Sequence, residues 1–309
     1  MTRKIFLPLL ALALTILACQ IQASTPTKAI PSLIPNTNTP APTPTSVPVV
    51  PALTLDMLKN GTYHAPGYDR TVTLVNGAYS NGSSSDPYSV RMLDVAALGD
   101  LNSDGAGDAA ILLVEDGGGS GEFESVVAVL NAGGAPVQAG QAELGDRVKV
   151  NAMTITSGTL ALDMLVQGPN DPMCCPSQPE TQFYRMVGKT FWMTRLTSRT
   201  PDNHERAISV NTPSDGTSVS NPFTVSGSVT IAPFENTLAY RVYRPDGTKL
   251  SASTLPVNSG GNAGGPGTFS QTFNLSNAGI TGPVIIQFLD VSAADGSTLA
   301  MGSVVVNIQ

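Results

Sequence analysis

Two stretches of this chain hold side chains that could do chemistry. In the first, Gly99 to Asp108, the side-chain oxygens of Asp100, Asn102 and Asp104 fall at positions 1, 3 and 5 of a calcium-type loop. Gly105 stands at the sharp turn, the Ala106 carbonyl at position 7 and Asp108 at position 9. A hard cation wants about six to eight oxygens, and such alternation aims several inward. Ile111 stands where an EF-hand places its bidentate glutamate, so the loop is not an EF-hand. Two readings remain: a Ca2+ site built from Asp100, Asn102, Asp104, Ala106 and Asp108, or an acidic turn between two strands. The second stretch, DPMCCPSQ, sets Cys174 beside Cys175 between Pro172 and Pro176.

Enzyme templates find little support. The chain has two histidines: His64 in the turn-like TYHAPG, and His204 in a polar break. Ser120 in GGGSGEF lacks the closing glycine of a nucleophile elbow, since Glu122 follows. Gly117 to Gly121 reads as a flexible loop. Glu115 and Asp116 are neighbours, and adjacent strand side chains point to opposite faces, so they make a poor acid/base pair. No residue is assigned a catalytic role. A hydrolase using acidic residues brought together only in space stays as an alternative.

The role of the cysteines depends on where the chain resides. The opening MTRKIFLPLLALALTILACQ has a basic start, Arg3 and Lys4, and an apolar run from Ile5 to Ile16. That run has signal-peptide length and falls short of the ~20 residues of a spanning helix. Ile16-Leu17-Ala18-Cys19 resembles the lipobox of bacterial lipoproteins, with Leu17 where a small residue is more usual. The resemblance implies removal of residues 1–18 and acylation of Cys19, an anchor on the extracytoplasmic side of the cell membrane. With Cys19 used by lipid, Cys174 and Cys175 are an even pair in an oxidising compartment. Adjacent α-carbons lie ~3.8 Å apart and ordinary disulfides want ~4.4–6.8 Å, so a vicinal bond needs a tight turn. The bracketing prolines suit one. Two reduced, buried thiols are the other main reading, ahead of intermolecular pairing or a soft metal.

Without residues 1–18, which contain Arg3 and Lys4, 14 basic residues face 23 acidic ones, a net charge of −9. Such a chain repels nucleic acid and anionic headgroups, so membrane contact is expected through lipid alone.

Residues 19–51 read as a lipid-anchored disordered stalk, with eight prolines from Pro26 to Pro51 among Thr, Ser and Ala. The remainder reads as mainly β: low aromatic content, 6%, and 30 glycines suit short strands with many turns. An antiparallel β-rich domain is expected over 52–199, opened by a short helix capped by Thr54 and stopped at Asn60-Gly61. Hairpin turns are expected at Asn76-Gly77, Gly133-Gly134, Ser157-Gly158 and Gly188-Lys189. After a linker at 200–206, residues 207–309 carry period-2 strands. Phe223, Val225, Val229 and Ile231 face one way, Thr224, Ser226, Ser228 and Thr230 the other. About seven strands in about 100 residues is the pattern of an immunoglobulin-like sandwich, here without its disulfide or tryptophan.

The run ISVNTPSDGTSVSNPFTVSGSV, with AYRVYRPDGTKL and DVSAADGSTL, resembles the immunoglobulin-like domain of bacterial spore germination proteins. The resemblance implies an extracytoplasmic β-sandwich with no known catalytic residues; it does not imply a role in germination. The first domain is similar to one from uncharacterised bacterial surface lipoproteins, through its GDLN-DG and GP-DPMCCP stretches. GDLNSDGAGDAAILLV is also similar to the loop-then-strand unit of FG-GAP and VCBS repeats. Those need several copies to close a propeller, and this chain has one. The expected function is non-enzymatic: a lipoprotein presenting β domains to an envelope protein or a wall or extracellular glycan. A calcium-dependent adhesion or assembly module is a further alternative.

Overall fold

The computed structural model describes residues 50–262, 264–275 and 279–309. The leader, Cys19 and nearly all of the stalk lie outside the described residues. Pro51, read as the last stalk residue, is tied down: its carbonyl accepts from Asn131 Nδ2 at 2.8 Å.

The described chain is mainly β. It opens with one helical turn, α1 (Leu55–Lys59), whose cap is Thr54: the Met57 N–H donates to Thr54 Oγ1 at 3.3 Å. Strands β1 (Thr62–Ala65) and β2 (Arg70–Thr73) form an antiparallel ribbon. Asn76 and Gly77 both take positive φ, the geometry of a tight hairpin turn, before β3 (Ala78–Ser80). Then come β4 (Ser89–Gly99), β5 (Asp108–Asp116), β6 (Phe123–Ala132) and β7 (Ala135–Asp146), which with β3 make a five-stranded sheet in chain order.

β5 is buried on both faces from Asp108 to Glu115, which explains the unbroken AAILLV inside it. On one face Ala109, Ile111 and Leu113 pack with Leu58, Tyr63 and Leu74 from α1, β1 and the chain just beyond β2. On the other, Ala110 and Leu112 meet Leu160, Leu162 and Met164. Those belong to β9 (Thr159–Val166), paired with β8 (Lys149–Thr156) and β10 (Gln178–Val187), and β10 pairs with β11 (Thr190–Arg199).

The remaining strands are β12 (Glu205–Arg206), β13 (Ile208–Thr212), β14 (Thr217–Val219), β15 (Phe223–Val229), β16 (Thr237–Tyr243), β17 (Lys249–Pro256), β18 (Gly267–Phe273), β19 (Gly282–Val291) and β20 (Thr298–Ile308). The sheet β13-β15-β18 packs on strands β16, β17, β19 and β20, giving a sandwich core that includes Phe223, Val225, Phe269, Val284, Phe288 and Val304. The alternation read in β15 holds for Phe223, Val225 and Val229, which are buried, while Thr224 is exposed. Ile231 lies beyond the strand and is half-buried.

One connection is absent from any local pattern. β20 pairs with β11 through Arg195↔Gly302 and Leu196↔Met301, so one sheet runs β17-β16-β19-β20-β11-β10-β9-β8. The stretch read as a linker ends in β12, which pairs with β11, and Arg206 forms an ion pair with the buried Asp290. Gly302 permits this seam: a β-carbon there would lie 2.6 Å from the Ile208 carbonyl.

Candidate functional site

The acidic loop follows β4 and turns back into β5. Asp100 accepts from the Ser103 N–H (2.6 Å) and the Gly105 N–H (2.9 Å). Asn102 Oδ1 accepts from the Asp104 N–H, Asn102 Nδ2 donates to Asp104, and Asp104 accepts from the Ala106 N–H at 2.7 Å. These are turns in which a short side chain mimics backbone. Asp108 differs. It is fully buried, with Oδ2 accepting from the Leu101 N–H (2.8 Å) and Oδ1 from the Asn131 N–H (2.9 Å). Burial pushes its carboxyl above the usual range, against those two bonds. The sequence-predicted oxygens are thus directed to amides of the loop and of β6. Among the described residues, no group of three or more His, Cys, Asp or Glu is arranged to hold a metal.

The CC loop is built around Asp171. Its Oδ2 accepts from the Gly168 N–H (2.8 Å) and the Ser177 N–H (2.7 Å), and its Oδ1 from the Ser177 hydroxyl (2.7 Å). These bonds hold its carboxyl below the usual range, that from Gly168 first. Inside this clasp the Cys175 N–H donates to the Pro172 carbonyl at 2.9 Å. The structure joins Cys174 to Cys175 by a disulfide, their α-carbons 3.8 Å apart. Arg147 and Gln167 both donate to the Met173 carbonyl at 3.1 Å, and the Met173 side chain is 60% exposed. In protein isolated without reductant, the peptide carrying both cysteines is expected to be lighter by the two thiol hydrogens. The ring is minimal, so reduction should alter amide exchange in 171–178 far more than melting. Two alkylatable thiols in unreduced protein, or a covalent dimer through this loop, would refute the pairing.

A third place escaped the sequence reading. Glu115, at the end of β5, is fully buried. Its Oε1 accepts from the Gly67 N–H (2.7 Å), and its Oε2 from the Tyr68 N–H (3.0 Å) and the Tyr88 hydroxyl (2.9 Å). It fixes the turn after β1, and that turn sets Tyr68 edge-on to Phe123, ring centres 5.9 Å apart, and to Tyr88 at 5.3 Å. Tyr68 and Phe123 are 38% and 40% exposed. Beside them lies a cleft of about 140 Å³ lined by Pro66, Gly67, Glu115, Phe123, Glu124, Ser125, Glu143 and Gly145. The Ser125 hydroxyl is buried without a partner among the described residues.

The pairings Glu115↔Phe123 and Ser125↔Glu143 put these four side chains on one face of the sheet. Glu124 falls between Phe123 and Ser125, so its side chain takes the opposite face, with Val114 across from it. Burial pushes the Glu124 carboxyl up to about 7, against the pull of Arg91 and with a push from Glu122. The cleft thus offers acceptors and exposed rings. Both oxygens of its best-placed carboxylate are already taken.

The remaining sequence-flagged residues do not converge here. His64 Nε2 lies 3.4 Å from Asp69 Oδ1, His204 sits in a turn bonded to Thr200, and Asp116 accepts from the Gly118 N–H. The signal that could have found the cleft is a carboxylate at the end of an apolar run, Glu115 closing AAILLV.

Residues 207–297 match the family model described as the immunoglobulin-like domain of bacterial spore germination. No curated protein matches the chain. Among the described residues no helix is long and apolar enough to cross a membrane.

Proposed function

We propose that this chain is an extracytoplasmic lipoprotein, held on the cell membrane through acylated Cys19, whose β domains bind a wall or extracellular glycan without cleaving it. The observation that carries the reading is the cleft beside Glu115. Exposed Tyr68 and Phe123 offer apolar ring faces to the C–H face of a sugar. The acceptor-lined floor suits sugar hydroxyls, which are donors. The engagement of Glu115 weighs against the hydrolase reading, because two amides and a tyrosine hydroxyl already hold its carboxylate. The match of residues 207–297 to a germination-type immunoglobulin-like domain fits a surface location. An envelope protein is the other partner that this surface suits.

Binding is tested on a glycan array and with wall fractions, using the full chain and Phe123→Ala. The ring is half-exposed, so the variant should fold. Loss of a stacking surface should weaken binding about tenfold. Equal binding by wild type and variant would remove the cleft from the reading, and release of shortened glycan would replace binding by hydrolysis. In cells, Cys19→Ala should lose acyl label and leave the membrane fraction. Unchanged fractionation with no lipid on the wild type would end the anchor proposal.

A further inference from the structure

A second cleft, of about 300 Å³, opens at the seam where β11 meets β20. It is walled by Thr159 of β9, Arg185 of β10, Arg195 of β11, Ser209 of β13 and Ser303 of β20, and Asp215 also lines it. The register explains the cluster. Phe183 pairs with Arg195 and Tyr184 with Met193, so Thr194 is an extra residue that re-aims the strand. The partner strands hold this bulge: the Ser303 hydroxyl donates to the Thr194 carbonyl at 2.8 Å, and Gln287 Nε2 to the Met193 carbonyl at 3.2 Å.

The charges here do not balance. Arg185 grips Asp215 through both terminal nitrogens, and Asp215 Oδ1 also accepts from the Val305 N–H at 2.8 Å. That carboxylate is spent. Arg185 Nε remains buried without a partner among the described residues, and the Arg195 guanidinium has no hydrogen bond or ion pair with any described residue. Its guanidinium lies 5.1 Å from the centre of the Phe183 ring, which supports it from one side and leaves its planar edge of donors free. An unmatched arginine in a cleft is notable in a chain of net charge −7, because the walls focus its field.

We propose that this seam cleft binds an oxyanion, a phosphate or carboxylate group carried on a polar body. The Arg195 fork matches two oxygens of such a group, as an ammonium would not. The hydroxyls of Thr159 and Ser209 are within the same cleft to donate to the rest. A neutral sugar gives Arg195 no counter-charge, and a cation is repelled. The volume exceeds that of a bare phosphate, which leaves room for what carries it. The site shares no residue with the cleft beside Glu115 and does not depend on glycan binding there.

The test is calorimetric titration of the full-length protein with inorganic phosphate, glucose 1-phosphate, glucuronate and glucose. Saturable binding is expected for the anions and not for glucose, weakening as salt is raised. A phosphate ester that binds more tightly than inorganic phosphate shows that the carrier contributes. Glucuronate as the tighter ligand assigns the site to carboxylates. Arg195→Ala should weaken anion binding at least about tenfold, since a hydrogen bond to a charged group is worth that much. Arg195→Lys should keep part of it, and Arg199→Ala, outside the cleft, should match wild type. Arg195 is exposed, so the variants should melt with wild type. The proposal fails if no anion binds saturably to wild type, if glucose binds as tightly, or if Arg195→Ala binds like wild type.

Discussion

Replacing Asp108 by alanine is expected to cost roughly 3–5 kcal/mol of stability, a large share of the ~5–15 kcal/mol that holds a typical domain. The reason is local. Asp108 is the buried acceptor for two backbone amides, Leu101 near the start of the acidic loop and Asn131 near the end of β6. Removing it leaves two donors in a dry site. It also loosens Asn131, whose amide reaches the Pro51 and Gly107 carbonyls and whose Oδ1 accepts from the Gly134 N–H. Asp108→Asn keeps the shape and one acceptor but turns an NH₂ toward one of the amides, so it should recover only part of the loss. Denaturant midpoints of wild type and both variants, in calcium and in chelator, check this. The same loss in both media is expected. If chelator alone lowers wild type as far as Asp108→Ala does, the loop is held by metal. A loss below about 1 kcal/mol would mean that water satisfies both amides.

Asp108 also shows where sequence reading succeeds and where it stops. The spacing Asp-x-Asn-x-Asp-Gly serves a cation loop and a run of side-chain-to-backbone turns equally well, because both need short oxygen-bearing side chains at alternate positions. Nothing local separates them. The spacing also does not show that Asp108 faces Asn131, 23 residues away. Strands and turns were legible because their signals are local. Phe223, Val225 and Val229 alternate, Asn76-Gly77 and Ser157-Gly158 take positive φ, and Thr54 caps its helix. The seam was not legible. It rests on two residue pairs between β11 and β20 and on a glycine that reads like any other. The cleft was not legible either, since Glu115 meets Gly67 and Tyr68 across 48 and 47 residues. The period-2 rule did apply: Glu115 turned inward and left Asp116 to the following loop, as adjacent strand positions must.

The same rule underlies the last expectation, a pH dependence that Glu124→Gln should remove. Glu124 is 8% exposed, and its Oε2 has no partner among the described residues. Its side chain shares a face with Val114, where desolvation dominates over the attraction of Arg91, and its carboxyl rises from 4.5 to about 7. In the unfolded chain it titrates at the lower value, so between the two the folded state holds a proton that the unfolded state releases. Stability from this group is therefore fully present below about pH 4.5 and is lost as pH rises through about 7. Each pK unit corresponds to about 1.4 kcal/mol, so the full swing is roughly 3 kcal/mol. Glutamine keeps the shape and cannot ionise. Glu124→Gln should therefore match wild type near pH 4 and exceed it by up to roughly that amount near pH 8. Asp108 and Glu180, also raised by burial, titrate in both proteins and cancel in the difference. The check is the difference in unfolding free energy between the two proteins from pH 4 to 8. A flat difference would place Glu124 in contact with water or a cation at neutral pH. A difference of opposite sign would mean that its charge is wanted there, which would return it to the list of groups able to act on a ligand.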